Sequence, residues 1–392
     1  QWMRAAVLSS LASGAGEMFT ILTANQKIVD DPNGRLFLGE LARMIGAQNQ
    51  SPNVNLVAGF LEKTTDATLA FSLVRSVGEG LERAKSSLVN FPQGSLNRLT
   101  GKATEALLEA STPSNTKIEA IKLLAVMPQD HSGLLISLLA PSQSQEIQLA
   151  TIAALGRFHQ ASVAEQVVQR WGNFTPRVRS EAITMLLGRP ERANVLITAI
   201  QRGAIARNEL NSTQEKFLKT HRDAGVKAKA NAVLVEMASK RQDVIDSFMS
   251  SIQLAGNLEN GKVIYNERCS ACHTFGNQGF ALGPDLLTVQ NTGKEKLLLN
   301  ILDPNSEVAP QYQAYEVETN DGESLIGLIV DETANNVTVR QAYGKEDVVA
   351  RSNIRKMQSQ QQSLMPEGLE AGLSPEQMAD LLEYISAAKV NE

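Results

Sequence analysis

Cysteine occurs only twice in this 392-residue chain, histidine four times, and aromatic residues make up 5%. Two cysteines cannot staple a disulfide scaffold, and a bridge closing a loop of two residues would add little to a domain of this size. No run of 18 or more apolar residues exists. The longest candidate, "LLLNIL" at Leu297 to Leu302, has the length of a buried helix face, so no helical segment here is built to cross a bilayer. Neither sign of charge dominates: 37 basic residues stand against 42 acidic ones for a net charge of −5, and the basic ones are scattered. That balance removes the electrostatic basis for a nucleic-acid or anionic-membrane partner. No Ser/His/Asp arrangement, phosphate loop or metal-binding carboxylate cluster appears, and "DDPNG" at Asp30 to Gly34 reads as a turn. The chain also starts at Gln1 without a methionine or secretion signal, as expected of a processed protein or a fragment of a longer one.

What is present is ordinary in bulk, with 43% apolar and 20% charged residues. Cores rarely grow beyond about 250 residues, so two or three domains are expected. From Trp2 to about Leu254 the periodicity is helical, with short Gly, Pro, Asn and Ser connections. "EAIKLLAV" from Glu119, "LATIAALG" from Leu149 and "EAITMLLG" from Glu181 superimpose, their starts 30 and 32 residues apart. Each has an amphipathic helix behind it, "HSGLLISLLA", "SVAEQVVQRW" and "RANVLITAI", and weaker copies occur at "MRAAVLSSLA" and "AKANAVLVEM". One helix pair cannot bury its own apolar face, so the expectation is a stacked α-solenoid. These segments resemble HEAT repeats of the short bacterial type over roughly residues 1–256, which implies a scaffold or docking surface.

After Gly256 the character changes. "GNLENGKVIYNERC" reads as a short helix capped by Asn257, and "GKEKLLLNILDP" as another ended at Pro304. From Gln313 the period drops to two. "QAYEVET", "SLIGLIVD", "NNVTVRQA" and "DVVAR" are β-branched-rich and separated by turns such as Asn320-Asp321-Gly322, which predicts a small antiparallel insertion over about 313–356. The chain returns to helix at "SPEQMADLLEYISAA", with Ser374 at the cap, Pro375 at the first turn and Gln377 completing a capping box. The expected fold is therefore mostly α: a solenoid over 1–256, then a second helical domain over 257–392 carrying the β insertion.

Both cysteines fall in "CSACH". Cys269 and Cys272, three apart on a helical turn, can reach the two vinyl groups of one haem, and His273 then lies under the iron. A zinc site would need two more ligands, and His131, His159 and His221 are far off in the sequence. A thioredoxin-like dithiol would need a βαβ context that is missing. The expected cofactor is one covalent haem c with its iron.

"GNLENGKVIYNERCSACH" resembles the opening of a class I cytochrome c, and "LLEYI" its closing helix. The resemblance implies that Gly261 and Tyr265 cross Leu381 and Tyr384, and that the Pro284 carbonyl of "GPDL" accepts the Nδ1 proton of His273. An ordinary Gly-Pro turn is the alternative reading of that motif. Within cytochromes c, residues 258–388 are similar to the planctomycete-type (PVC-type) haem-binding CxxCH domain, in the CxxCH, "GPDL", "DP" helix end, β insertion and "SLMPEGL". Such domains commonly follow HEAT-like repeats, themselves downstream of a sugar-dehydrogenase-like β-propeller. Three methionines follow the motif. Met378 reads as core of the last helix, Met357 has no clear assignment, and Met365 sits in a loop of the kind that carries the distal ligand in class I cytochromes. "DPNSEVAP" at Asp303 to Pro310 reads as a loop that could border the haem.

With His273 and Met365 as metal ligands, no iron position stays open, and electron transfer is favoured over haem catalysis. The leading expectation is an electron carrier, not an enzyme by itself, that takes electrons from a sugar- or alcohol-type dehydrogenase domain or redox partner. A peroxidase-like haem enzyme and an interaction scaffold with structural haem are the alternatives. Haem attachment to CxxCH takes place outside the cytoplasm, so the periplasm or the outer face of a membrane is expected.

Overall fold

The computed structural model describes residues 14–234 and 241–387. "MRAAVLSSLA" and Trp2 lie outside the described residues, as does the end of "AKANAVLVEM". The chain forms two compact units. One comprises the described residues up to Leu139 together with Glu146–Val163; the other comprises Ala140–Gln145 and everything from Ala164 on.

The first unit is helical. Its helices start where the sequence supplies caps: Asp31 accepts from the Gly34 amide at 2.7 Å ahead of Pro32–Gln48, and Asp66 accepts from the Leu69 amide at 3.0 Å ahead of Ala67–Arg83. Pro32 sits at the first turn, where its missing N–H is not needed, and Asn49 in the left-handed conformation ends the same helix. Arg75 joins Glu79 at 2.7 Å and Glu119 at 3.2 Å, and Arg43 meets Glu79 at 2.9 Å. These pairs tie Pro32–Gln48, Ala67–Arg83 and Ser114–Leu124 along a half-buried ladder.

The second unit continues with helix pairs, including Pro176–Leu187 with Pro190–Gln201 and Ser212–Lys219 with Ala224–Val233. After a short helix at Gln242–Phe248, four α-helices follow at Leu258–Arg268, Leu286–Val289, Lys294–Leu302 and Pro375–Ala387 among the described residues. Between the last two lies a five-stranded antiparallel sheet: β1 (Gln313–Thr319), β2 (Ser324–Glu332), β3 (Asn336–Arg340), β4 (Glu346–Ala350) and β5 (Ile354–Ser363), in the order β4-β3-β2-β1-β5. Tyr315, Val317, Leu325, Ile329, Val337, Val339, Val349 and Met357 form its core.

The sheet reaches further than the expected 313–356. "IRKMQSQQQS" is a full strand although it is almost entirely polar, because as an edge strand it buries only Met357 and Ser359 and shows its other residues to solvent or leaves them half-buried. Met357, unassigned in the sequence, pairs with Val317 and is fully buried.

A charged cluster anchors this sheet within its unit. Arg179 on Pro176–Leu187 is buried and paired with buried Glu209, and it donates to Gln313 Oε1 at 2.7 Å and the Phe174 carbonyl at 3.0 Å. Its guanidinium lies 5.6 Å from the Trp171 ring and 5.3 Å from that of Tyr315, whose hydroxyl donates to the Phe174 carbonyl at 2.6 Å. Arg351, also buried, pairs with Glu332 and donates to the Pro141 and Gln143 carbonyls at 3.1 Å each, which is why 140–145 belong to this unit.

Candidate functional site

The helix Leu258–Arg268 begins at Asn257, whose side chain accepts from the Asn260 amide at 3.0 Å. It crosses the closing helix Pro375–Ala387, which starts with the reciprocal Ser374/Gln377 capping box, at 2.9 and 3.3 Å. At the crossing, a β-carbon on Gly261 would overlap the Asp380 carbonyl, so only glycine allows this approach. Tyr265, Phe275 and Tyr384 pack together, with ring centroids 5.1 to 5.7 Å apart. The Tyr265 hydroxyl donates to the His273 carbonyl at 2.8 Å.

The helix ends at Cys269, and one further turn carries the motif: the Cys272 and His273 amides donate to the Cys269 carbonyl at 3.1 and 2.9 Å. The following loop folds back onto it. The Phe280 amide bonds the Ser270 carbonyl at 3.0 Å, and the Leu282 and Gly283 amides bond the Cys272 carbonyl at 2.9 and 2.6 Å. His273 Nδ1 donates to the Pro284 carbonyl at 2.8 Å. A carbonyl only accepts, so the proton sits on Nδ1 and Nε2 keeps its lone pair for a metal. Burial lowers the imidazole's proton affinity, opposed by the bond to Pro284. A β-carbon at Gly283 would overlap the imidazole ring.

These residues form one wall of a cavity of about 410 Å³. Cys269, Cys272, His273 and Pro284 line it together with Leu286, Leu297, Ile301, Val308 and Leu328, and across the sequence gap come Leu364, Met365 and Leu369. Thus the structure brings all five predicted site residues, Met365 included, to a single cavity. Met378 is buried in the core of the closing helix, away from the cavity lining. Pro304, Glu307, Val308 and Ala309 of the "DPNSEVAP" loop also line the cavity.

Sequence reasoning missed the partners that hold the methionine loop. The Asn305 side chain accepts from the Ser363 amide at 2.9 Å and donates to Glu367 at 2.6 Å, and Arg268 donates to the Leu369 and Ala371 carbonyls at 2.6 and 2.9 Å. The β3–β4 turn braces the other side, with the Tyr343 amide on the Ala271 carbonyl at 3.0 Å and Arg340 on the Ala281 carbonyl at 2.8 Å. A "DPN" turn after a helix was the one available signal for Asn305; nothing local marks Arg340 or Tyr343.

The donor set fits a haem. The lining is mostly apolar, and it includes one histidine, one methionine and both cysteines, which form no disulfide. Burial pushes the Cys269 thiol up to about 12 and raises Cys272 as well. Among the described residues no group of three or more His, Cys, Asp or Glu could hold a metal ion, and no helix is long and apolar enough to cross a membrane.

Fold and site together define a c-type haem-binding domain. Residues 258–325 match the family model for cytochrome c. This part of the chain is a cytochrome c-like haem-binding domain, its cofactor is covalently bound haem c, and its chemistry is haem-based electron transfer with a redox partner. Comparison with curated proteins finds none that matches this chain.

Proposed function

We propose that the chain is a one-electron carrier in which His273 and Met365 would ligate the iron, and Cys269 and Cys272 would hold the haem through thioethers. The observation that carries this reading is that Met365, 92 residues beyond His273, lines the same cavity as the histidine and both thiols. Bound there, haem supplies a ferric/ferrous couple, which a thioether ligand places at a higher potential than a second histidine would. The chain's own residues do the rest. The Pro284 carbonyl fixes the imidazole, the apolar walls keep water from the site, and the methionine loop closes it against small exogenous ligands.

The helix pairs before the haem domain, HEAT-like in their spacing, serve as the mount for the electron donor. That donor is a sugar- or alcohol-type dehydrogenase domain, with a β-propeller upstream in the full-length protein as the form most in keeping with the PVC-type resemblance. Haem attachment to CxxCH takes place outside the cytoplasm, which supports a location in the periplasm or at the outer face of a membrane. Cyanide binding to the oxidised holoprotein tests the closed site: slow binding that becomes fast in Met365→Ala supports it. Equally fast binding in both would make the site open and favour a peroxidase-like enzyme.

A further inference from the structure

Asn305 reaches the chain on both sides of Met365. The residue sits in a turn after the helix Lys294–Leu302, where the Ser306 amide and hydroxyl both bond the Asp303 carbonyl, at 3.1 and 2.7 Å. From there its Oδ1 accepts the Ser363 amide at 2.9 Å, and its Nδ2 donates to Glu367 Oε1 at 2.6 Å. The partners stand two residues before and two residues after Met365, whose own amide donates to Ser363 Oγ at 3.1 Å. Only one orientation of the amide satisfies both bonds, since an amide N–H needs an acceptor and a carboxylate cannot donate when ionised. Neighbours of Asn305 in the same turn, Pro304, Glu307 and Val308, line the cavity beside Met365.

We infer that Asn305 is the positioning residue of the methionine loop, a clamp that holds residues 363 and 367 so that the Met365 sulfur stays on the iron. This rests on the proposed Met365 ligation and adds what keeps that ligand in place. The 363–367 segment is half-buried or exposed and has no helix or strand of its own after Ser363; besides Asn305 it is tied through the pairing of Ser363 with Gln313 and a long bond of 3.5 Å from the Leu364 amide to the Tyr312 carbonyl, both on the side before Met365. Other ties act further along, through Arg268 on Leu369 and Ala371.

The test uses the haem-loaded full chain and follows two readouts, the charge-transfer band of a thioether-ligated ferric haem and the rate of cyanide binding. Asn305→Leu removes both bonds, and Asn305→Asp keeps the acceptor for Ser363 but sets a carboxylate against Glu367. Each is expected to weaken the band and raise the cyanide rate by about tenfold or more, a change that losing one charge-assisted hydrogen bond can supply. The double variant Asn305→Asp/Glu367→Gln restores a donor–acceptor pair with the roles exchanged, and is expected to return both readouts most of the way to the parent. A merely structural role would leave the band intact in correctly folded Asn305 variants, and that result would overturn the clamp, as would a double variant no better than Asn305→Asp. If the parent protein itself lacks the band and binds cyanide fast, the Met365 ligation falls and the clamp falls with it. A parent with the band and unresponsive Asn305 variants overturns the clamp alone.

Discussion

The two walls of the haem cavity are built in opposite ways. The histidine wall, from Cys269 to Pro284, is sixteen consecutive residues folded on themselves by backbone hydrogen bonds of 2.6 to 3.1 Å to the Ser270, Cys272 and Cys269 carbonyls. The methionine wall arrives from 92 residues away. It is carried by β5, which is paired to β1 and tied at Asn305, while β1 is anchored through Gln313 to the buried Arg179–Glu209 pair. A site of this kind has a local half that forms as soon as its loop closes and a distant half that depends on the whole unit. Loosening the second is expected to open the iron while leaving the haem in place.

Substitutions at three places would break or sharpen that contrast. The largest effect is expected at the local half. Cys269→Ala/Cys272→Ala removes both thioether positions, and the haem of the resulting protein, where any is bound, is expected to be extractable by acidified organic solvent, with none left on the chain by mass spectrometry.

Next comes the distant half. Arg179→Met leaves Glu209 buried without its cation, and urea unfolding is expected to register a loss of about 3–5 kcal/mol. The same variant should retain covalent haem while binding cyanide faster than the parent. Arg179→Met/Glu209→Leu, which removes the stranded carboxylate, is expected to recover part of the stability. Equal loss of haem and of loop closure in Arg179→Met would erase the distinction between the two walls.

The smallest effect is expected at Tyr265, which supports the local wall from behind. Tyr265→Phe deletes the hydrogen bond to the His273 carbonyl and should cost about 1 kcal/mol in chemical unfolding. Burial pushes this hydroxyl up to about 12, above its ordinary 10. A raised folded-state value means that its contribution is complete below pH 10 and is lost as pH climbs toward 12. Comparison of the parent and Tyr265→Phe by unfolding across that window should therefore show the shallower alkaline decline in the variant.

What could be read from the sequence follows the same division. The histidine wall was legible because its residues are adjacent: spacing alone places Cys269, Cys272 and His273 on one turn, whereas the Pro284 contact was expected only from the cytochrome c resemblance of "GPDL". Helix starts at Asn257 and Ser374 were legible because caps are local chemistry. β5 was not, since an edge strand needs only one inward apolar residue in this sheet and "QSQQQS" carries no β-branched signal. Nor were the partners of Arg179, because Glu209 and Gln313 lie 30 and 134 residues away and a lone arginine on a helix reads as solvent-facing. Asn305 illustrates the limit: its turn was visible, but the amide's two partners are set by where β5 ends in space.

The account stands most directly on the sixth ligand. In proton NMR of the reduced holoprotein, a methionine bound to iron over the haem ring shows its methyl resonance far upfield of every other methyl, and that signal assigns to one residue by substitution. The account predicts that the signal is lost in Met365→Ala and kept in Met357→Leu and Met378→Leu. Persistence of the upfield methyl in Met365→Ala, or its absence from the parent, would contradict it.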